Sequence, residues 1–470
     1  MKNGLKIMSV LLLTAFAGCS GTSSKYDVIV VGAGGAGFSA AISAKEHGAK
    51  VIMFEKMAFV GGNSVRSKGG MNAADTVPQK NANISDNVES FIADTMKGGK
   101  NKNNPDLVRF LAENSAATVD WLSEMGADLS EVARGAAQSA PRMHRPKGGK
   151  NVGGMLIATL SERAKKDNIK IELNTEVVEI IMKNGAAVGV KTLSADGKKA
   201  DYFAKSVIIA TGGFGANEAM YTKYRKDLAG FITTNHKGAT GDGIIMAEKV
   251  GAALVDMDQI QTNPTVEQTT AEVISESVRG LGAVFVNQNG VRFTNEMLAR
   301  DVLSAKILEQ PGKAAYLIFA DEIRANMAAL DKTIEKGIVA KGDTAEALAS
   351  QINVDAKTFA ASLQKWNAGA KNAKDSEFGR TAGFKFLLDK GPFYAIKVGP
   401  GVHHTMGGIK INTDTQVIDT AGNVIKGLYA AGEVTGGVHG ANRLGGNAVT
   451  DITVFGRQAG LKAAEYAQKK

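Results

Sequence analysis

The patterned part of the chain opens with two short apolar runs that flank a cluster of glycines. Val28–Val31 are four consecutive β-branched residues, which is typical of a strand buried on both faces of a parallel sheet. Residues 38–46 have helical character, Gly48 ends that helix, and residues 50–54 form the second apolar run. The pattern therefore predicts a strand, a helix and a second strand, in the order of a βαβ unit.

The glycines between the first strand and the helix have the spacing of a phosphate-binding turn. Gly32, Gly34 and Gly37 give G-x-G-x-x-G, in which the first makes a tight turn, the second lets the backbone approach a pyrophosphate and the third allows close packing of helix on strand. The helix N-terminus favours an anion. Glu55, at the end of the second run, is placed to accept a hydrogen bond from a ribose hydroxyl. This stretch predicts a dinucleotide site and by itself leaves FAD and NAD open.

The pattern of apolar runs, helices and glycine-rich loops changes twice after this unit. Apolar strands and glycine-rich loops continue to residue 257, short strands alternate with helices over 258–403, and a glycine-rich stretch and a final helix fill 404–470. The length also exceeds what one hydrophobic core usually supports. We therefore predict an α/β fold in which a discontinuous Rossmann-like cofactor domain (26–257 and 404–470) carries an inserted α+β capping or substrate domain (258–403).

Composition narrows the classes of function. The formal net charge is +9, but the lysines are scattered and are not interleaved with aromatic residues, so we predict no nucleic-acid partner. A single cysteine excludes an intrachain disulfide, a cluster held by several cysteines and a C-x-x-C-H haem site. The six histidines show no metal-binding motif, so we predict no metal. Redox chemistry is then expected to use an organic cofactor that receives electrons from another molecule.

The first 25 residues have the pattern of a targeting segment. Two lysines precede a mostly apolar run over residues 7–17, which is too short to span a bilayer. Small residues then stand directly before Cys19, in a pattern that resembles a bacterial lipoprotein signal. We predict a lipoprotein signal peptide over 1–18, a lipidated Cys19 that anchors the protein to a membrane, a linker over 19–25, and an extracytoplasmic location, lipid-anchored or periplasmic. The alternative is an ordinary secretory signal with an incidental cysteine.

Longer motifs carry a resemblance to a known family. They are SVIIATGGFGAN, TTNHKGATGDG, ISESVRG, GVRFTNEMLARD, HHTMGG and GEVTGGVHGANRLGGNA. These stretches resemble the soluble FAD flavoproteins of the fumarate reductase family, especially the flavoprotein portion of flavocytochrome c fumarate reductases. The resemblance runs from about Tyr26 to the C-terminus. Other members carry a haem or an FMN domain in addition, and this chain resembles the flavoprotein portion alone.

The resemblance implies that the cofactor is FAD. A nicotinamide enzyme has no need of the second glycine-rich lobe near the C-terminus. No histidine lies in the loop 61–74, so we expect the FAD to be bound without a covalent link. Besides Gly32, Gly34 and Gly37, the family's FAD contacts fall on Ala36, Glu55, Asn63, Ser64, Gly69, Gly70, Val177, Asp242, His404, Glu433, Ala448 and Val449.

The resemblance also implies reduction of an activated C=C bond, in which reduced flavin delivers a hydride from N5 and a protein acid protonates the other alkene carbon. Arg300 matches the family's proton donor, and Glu276 and Arg279 match the relay that returns a proton to it. His403 and Arg443 match a clamp on one substrate carboxylate. Further substrate positions match Gln261, Asn263, Ser275, Glu276 and Gly446. Because a free arginine has a pKa above about 12, the alternative is that Arg300 only stabilises negative charge and that water is the donor.

The part of the pocket that holds the second carboxylate departs from the family. Where the fumarate reductases read Gln-x-His-Pro-Thr, this chain has Asn263 in place of the histidine, and Val273 and Ser275 replace a methionine and a threonine. Asn263 keeps hydrogen-bonding ability but is never cationic. Either fumarate is still the substrate, held through Ser275 and the backbone, or the site takes another 2-enoate of the urocanate, methacrylate or acrylate, or cinnamate type.

Two other functions stay open at this point. A dehydrogenase or oxidase of the same superfamily would run in the oxidative direction, and a non-enzymatic flavin electron carrier would need no substrate clamp. The set of Arg300, Glu276 and Arg279 favours reduction. We therefore expect a small unsaturated carboxylate as substrate, with fumarate as the best single choice. The electron donor is expected to be a separate partner, either quinol-linked or a cytochrome or flavoprotein. NADH stays open as an alternative that no second nucleotide motif supports.

Overall fold

A computed structural model describes residues 25–469. The predicted signal peptide and Cys19 lie outside these residues, as does the predicted linker except for Lys25. Those predictions are therefore not addressed by the fold.

The elements follow one another as a mixture of strands and helices. Up to residue 257 they are β1 (Val28–Val31), α1 (Gly35–Glu46), β2 (Val51–Phe54), β3 (Met71–Asn72), α2 (Val77–Asn81), α3 (Val88–Gly98), α4 (Pro105–Glu113), α5 (Ser115–Glu124), β4 (Glu131–Ala133), β5 (Met143–Arg145), α6 (Val152–Lys166), β6 (Lys170–Glu172), β7 (Thr175–Lys183), β8 (Ala186–Ser194), β9 (Lys199–Phe203), β10 (Ser206–Ile209), α7 (Glu218–Tyr224), α8 (Asp242–Lys249) and β11 (Leu254–Val255). Then come β12 (Ile260–Glu267), α9 (Glu276–Leu281), β13 (Val284–Val286), α10 (Arg300–Leu308), β14 (Ala315–Ala320), α11 (Asp321–Ala325), α12 (Ala329–Glu335), β15 (Ala340–Gly342), α13 (Ala345–Gln351), α14 (Ala356–Ala370) and β16 (Phe393–Thr405). The chain ends with β17 (Gly408–Ile409), β18 (Gln416–Ile418), β19 (Val424–Ala430) and α15 (Asn447–Gln468).

The main sheet has a parallel centre, as the apolar runs predict. Its strand order is β6-β2-β1-β10-β19-β8-β7, and β18 and β9 extend it beside β19 and β8. The four strands β2, β1, β10 and β19 are parallel neighbours. Every residue of β1 is buried, which is expected of a parallel strand covered on both faces. This sheet confirms the predicted α/β class with a Rossmann-like arrangement.

The fingerprint glycines have different steric surroundings. Gly32 has φ +103° and turns the chain against the backbone of Ala210, a conformation that a residue with a side chain rarely adopts. Gly37 lies so close to Gly32 that a Cβ atom would overlap the Gly32 carbonyl oxygen. Gly37 therefore lets α1 pack on β1, and α1 begins at Gly35, three residues before the start that the helical pattern predicts.

A second sheet lies in the middle of the chain and is antiparallel. Its order is β12-β16-β14-β13, and β15 also pairs with β16. Its buried apolar residues form a separate core that is confined to residues 274–398. The larger core draws on residues 28–260 and 402–464. Two cores agree with two domains, and the limits predicted at 257/258 and 403/404 remain a prediction.

Two absences hold for the part of the chain that the structure describes. None of the helices between residues 25 and 469 combines the length and the apolar character that a bilayer crossing requires. Over the same residues, no three His, Cys, Asp or Glu side chains gather in a group that could hold a metal ion.

Adjacent glycines at the start of α6 provide a test of the packing beneath the loop 64–67. A Cβ atom at Gly153 would overlap the backbone oxygen of Ser64, whereas no atom of residues 25–469 lies within 4 Å of a Cβ atom at Gly154. We expect Gly153→Ala to destabilise the protein by about 1–3 kcal/mol because the loop must move. Gly154→Ala should be neutral or stabilise it by up to about 1 kcal/mol, because alanine favours a helix. Denaturant titration of both variants measures the difference, and equal effects would contradict the packing.

Candidate active site

A cleft opens beyond the carboxyl ends of the central parallel strands, where open α/β sheets usually bind ligands. Nine of the residues predicted to contact FAD line it, namely Gly32, Gly34, Ala36, Glu55, Asn63, Ser64, Val177, Asp242 and Glu433. We call this the first cleft. The same walls include Lys56, Met57, Gly62, Gly212 and His236, which the sequence did not single out.

The first cleft has the shape and the donors that a dinucleotide needs. Cβ atoms at Gly62 and Gly212 would meet no atom of the described chain within 4 Å, so both glycines leave open space for a ligand. The Glu55 carboxylate accepts from the backbone N–H of Ala33 and of Met57, each at 2.9 Å. These two bonds fix its direction and leave lone pairs for a ribose hydroxyl. The residues present therefore fit the ADP part of FAD.

Asp242 departs from the simple expectation of a free acceptor. Its carboxylate accepts from Lys56 Nζ at 2.5 Å and from Thr240 Oγ1 at 2.8 Å. The side chain lies in the first cleft, but the protein itself already pairs it. A cofactor that uses Asp242 must share this carboxylate with Lys56.

A second cleft adjoins the first and shares Asn63, Ser64, Glu433 and Ile452 with it. It collects predicted residues that are far apart in the sequence. These are Gly69, Asn263, Ser275, Glu276, Arg300, His403, His404, Arg443, Gly446, Ala448 and Val449. The structure thus brings most of the predicted substrate side chains beside the predicted flavin contacts.

Two guanidinium groups are held together by one neutral acceptor. Gln261 Oε1 accepts from Arg300 at 3.0 Å and from Arg443 at 3.1 Å. Its Nε2 donates to Asn442 Oδ1 at 2.6 Å and to the Arg443 carbonyl at 2.7 Å, so the amide orientation is fixed. Gln261 does not line the second cleft, and it positions the two arginines from behind.

Burial makes the charged form of the Arg443 guanidinium less favourable than it is in water. Burial lowers the pKa of the Arg443 guanidinium to about 9, and Arg300 adds to this shift while Glu276 opposes it. Its Nε has no hydrogen-bond partner among residues 25–469. An anion in the cleft would supply both the missing acceptor and a compensating charge.

Glu276 connects Arg300 to the protein interior. Arg300 Nε donates to Glu276 Oε1, and Arg279 Nη2 lies 3.9 Å from the same oxygen. Burial alone would raise the pKa of the Glu276 carboxyl, but Arg300 and Arg279 outweigh it and hold that pKa below its ordinary value. Glu276 is therefore an anion between two cations.

Arg279 lies behind the cleft and not in it. It is fully buried, it donates through Nη1 to the Glu296 carbonyl, and its Nε and Nη2 are unpaired within the described chain. Burial lowers the pKa of the Arg279 guanidinium to about 10, with Arg300 and Arg380 adding to the shift. Glu276, which lines the second cleft, lies between Arg279 and Arg300.

An irregular strand places two consecutive histidines in one cleft. Successive residues of a regular strand point to opposite faces. In the β12–β16 pair, Gln261 lies opposite His404 and Thr262 opposite Val402, so His403 is an extra residue in a bulge. His403 and His404 consequently both line the second cleft.

The two histidines are neutral in this environment. Burial lowers the pKa of both rings well below the ordinary value, and the nearby Arg443 adds to this in each case. Thr234 Oγ1 lies 2.7 Å from His403 Nδ1. The Thr234 hydroxyl has one proton and also lies 3.2 Å from the Val402 carbonyl oxygen, so it bonds His403 Nδ1 either as donor or as acceptor, and His403 Nε2 is correspondingly a donor or an acceptor. Neither ring nitrogen of His404 has a partner in the described chain, so they are free for a ligand.

Asn263 and Ser275 form a neutral wall of the second cleft. Asn263 Oδ1 accepts from the Thr265 backbone at 2.9 Å and from Thr265 Oγ1 at 3.0 Å. Asn263 is fully buried, and its Nδ2 finds no acceptor anywhere in residues 25–469. Ser275 Oγ accepts from the Ser277 N–H at 3.3 Å at the start of α9. The wall therefore offers two neutral donors, the Asn263 Nδ2 amide and the Ser275 hydroxyl, and no charge of its own.

Some predictions fall outside the two clefts, and some cleft residues were missed. Gly37 and Gly70 shape the backbone and do not line either cleft, since a Cβ atom at Gly70 would overlap the His144 carbonyl. Thr234, Arg66 and Lys68 line the second cleft without having been predicted. Thr234 stands within the quoted TTNHKGATGDG motif and Lys68 directly before a glycine pair, which were the available signals.

Comparisons with known proteins agree with this site. Residues 27–449 match the family model described as FAD binding domain. The chain is 47% identical to the NADH:fumarate oxidoreductase of Klebsiella pneumoniae, over 94% of this chain and 48% of that protein. It is 46% identical to a fumarate reductase (cytochrome) of Shewanella frigidimarina, over 94% of this chain and 78% of that protein. The chain therefore spans about half the length of the Klebsiella relative.

A solved structure, the open conformation of a flavocytochrome c3 fumarate reductase, is similar with a TM-score of 0.81 and 43% identity, over 96% of this chain and 80% of that chain. More distant relatives are a urocanate reductase of Eggerthella lenta, 38% identical over 95% of this chain and 76% of that protein, and an NADH:acrylate oxidoreductase of Vibrio harveyi, 36% identical over 93% and 50%. The chain belongs to the FAD-binding flavoproteins of the fumarate reductase family, and it is an FAD-dependent oxidoreductase.

Proposed function

We propose that this protein reduces the C=C bond of a small 2-enoate and that fumarate, which becomes succinate, is its best substrate. The observation that carries the proposal is the shared acceptor Gln261, which holds Arg300 and Arg443 side by side next to the FAD cleft. Two adjacent cations in a buried cleft fit a substrate carboxylate on one side and a developing carbanion on the other. The names of the relatives support the reaction, since they are reductases of fumarate, urocanate and acrylate.

The substrate carboxylate is bound by charge and by a neutral donor. Arg443 has an unused Nε–H, and in this proposal His403, which lines the same cleft, is the tautomer that carries its proton on Nε2. Charge-assisted bonds to a carboxylate are the stronger kind, so Arg443 provides most of the affinity and His403 the direction. Bound FAD, when reduced, would supply the hydride to one alkene carbon, and we propose that it is held without a covalent bond.

The second alkene carbon takes its proton from Arg300 in this proposal. Loss of that proton leaves Arg300 neutral beside the anionic Glu276, which favours prompt return of a proton. Glu276 can pass it on because it lies between Arg300 and Arg279, 3.9 Å from the latter. The hydride and this proton together convert the alkene to the saturated acid, and the relay returns a proton to Arg300. The transfer would leave the FAD oxidised, and the separate electron donor would have to reduce it again.

The electron supply and the location are further proposals. The family relationship implies a separate electron donor, and we propose a quinol-linked, cytochrome or flavoprotein partner, since the described residues contain one dinucleotide fingerprint. We also propose that Cys19 is lipidated and that the protein works outside the cytoplasm. This location rests only on the residue pattern before Tyr26.

A panel of unsaturated acids tests the reaction and the substrate. Oxidation of dithionite-reduced viologen should be fastest with fumarate, when kcat/KM is compared with that for urocanate, acrylate, methacrylate and cinnamate. Fumarate is expected to give the highest kcat/KM because it is the one acid of the panel that has a carboxylate at both ends. A different acid with a tenfold higher kcat/KM would replace fumarate as the substrate, and reduction of none would contradict the proposed function.

Replacement of Arg300 tests the proton donor. Arg300→Lys keeps the positive charge but loses the shared bond geometry to Gln261 and Glu276, so kcat should fall by at least about 100-fold. FAD content, read from flavin absorbance, should stay unchanged. Arg324→Lys is the matched control, because Arg324 pairs only with Asp321 and Asp331 near the surface of the second sheet. Turnover within a few-fold of the unmodified enzyme would assign protonation to water.

The charge on Arg443 predicts a pH dependence. Its guanidinium is charged below its lowered pKa of about 9 and loses the charge as pH rises through that value. We expect kcat/KM for fumarate to be level between about pH 7 and 8 and to fall above about pH 9, by up to about tenfold per unit. Fumarate itself stays doubly ionised over this range, so it cannot cause the fall. A level profile to pH 10.5 would contradict the assignment.

A further inference from the structure

One lysine places an additional cation in the second cleft. Lys68 lines this cleft and donates from Nζ to Glu272 Oε1 at 2.5 Å. The Lys68 side chain is 22% exposed and that of Glu272 is 7% exposed, so this pair is largely removed from water. Neither residue belongs to the motifs that carry the family resemblance.

Glu272 has more positive partners than it needs. Besides Lys68, it accepts from Lys336 Nζ and from Thr333 Oγ1, the latter at 2.9 Å. Two ammonium groups therefore surround one carboxylate, which leaves one positive charge in excess. The Lys336 side chain is 54% exposed and follows α12. If Lys68 turns away, Lys336 and Thr333 still satisfy Glu272, so no buried carboxylate is left unpaired.

Strand β12 fixes where Lys68 lies relative to the arginines. Gln261, near the start of β12, contacts Arg300 and Arg443, whereas Glu267, at its end, donates from its backbone N–H to the Glu272 carbonyl at 2.8 Å. Between them, the Ile274 N–H donates to the Thr265 carbonyl at 2.8 Å, which brings the segment 272–275 alongside β12. Lys68, bonded to Glu272 near the end of β12, therefore lines the same cleft as Asn263, Val273 and Ser275, whereas Arg443 is bonded to Gln261 near the start of this strand.

The surroundings of Lys68 favour an anion next to its ammonium group. Burial lowers the pKa of the Lys68 ammonium, while its bond to Glu272 opposes this and Lys336 adds to it. Asn263 lines the same cleft, and its Nδ2 is a buried donor without an acceptor among residues 25–469. A ligand carboxylate here would accept hydrogen bonds from Lys68 and from Asn263. It would also give Lys68 a negative partner of its own, whereas Lys68 now shares Glu272 with Lys336.

We propose that Lys68 binds the second carboxylate of a dianionic 2-enoate, together with Asn263 Nδ2, and so selects dicarboxylates over monocarboxylates. The proposal rests on the enoate reduction proposed above and adds a specificity-determining residue to that site. Lys68 moves from Glu272 to the substrate, and Lys336 retains Glu272. The positive charge already in excess around Glu272 is thus directed into the cleft when an anion arrives.

Kinetics of Lys68→Met with fumarate and with monomethyl fumarate test the proposal on the FAD-loaded full-length protein. The two substrates differ in one charge. We expect kcat/KM for fumarate to fall at least about tenfold through KM, because a charge-assisted bond is lost, and that for monomethyl fumarate to change less than about twofold. Lys68→Arg should keep the preference for fumarate. Equal effects on both substrates, or none, would overturn the proposal.

Lys336→Met is the matched control, since it removes the other ammonium group on Glu272 and leaves Lys68 in place. It should lower kcat/KM for fumarate less than Lys68→Met does, because Lys68 keeps its charge but has to leave Glu272 with Thr333. If it raises KM for fumarate as much as Lys68→Met does, the lysines act by joining two segments and the proposal is wrong. Calorimetric binding of succinate gives a readout without turnover. Weaker succinate binding in Lys68→Met supports the assignment even if no enoate is reduced, and unchanged binding overturns it.

Discussion

The active site depends on cations that the protein holds away from water with fewer counter-charges than they need. Arg279 and Arg300 share one carboxylate, that of Glu276, and Arg300 and Arg443 share one neutral acceptor, Gln261. Removing one partner from a buried charge pair typically costs about 3–5 kcal/mol, so this arrangement survives only because each group has several partners. Burial, with the neighbouring arginines adding to it, lowers the pKa of Arg443 to about 9 and lowers that of both neighbouring histidines well below the ordinary value. The deficit of negative charge explains why an anionic substrate completes the site.

The fold brings these charges together through two strands that run between the two cores. Strand β16 begins in the antiparallel sheet with Phe393, which is part of the second core, and ends beside the FAD cleft with His403 and His404. Its partner β12 supplies Gln261 and Asn263, and the register shift between the strands aims both histidines the same way. Small residues keep the other side close, because Gly456 and Gly460 of α15 lie directly against Ala36 and Ala40 of α1. The pairing of β12 with β16 and the close packing of α15 on α1 therefore place the substrate contacts beside the flavin contacts.

The local residue pattern was enough to predict the parallel centre of the main sheet and the glycine turn. A strand buried on both faces requires a continuous apolar run, and a positive φ favours glycine. The resemblance then supplied the candidate residues, and most of them do line one of the two clefts. The pairing among them was not predictable. Gln261 and Arg443 are 182 positions apart, and nothing in either motif indicates that one amide oxygen serves two guanidinium groups. The same holds for Lys68 and Glu272, whose contact depends on how two separate segments meet.

Asn263 and Lys68 together provide a way for this cleft to recognise a second carboxylate although position 263 carries no cationic side chain. A fixed buried cation beside Asn263 would repel Arg300 and Arg443 at all times, and that repulsion would add to the burial cost already visible in the lowered pKa of Arg443. A neutral amide held by Thr265 avoids the repulsion. Lys68 is paired with Glu272, and in the proposal it moves to a second anion when that anion is bound. Its long flexible side chain allows this movement. Loss of a cationic side chain at position 263 therefore does not by itself exclude a dianionic substrate, because the charge can be supplied from another segment of the cleft.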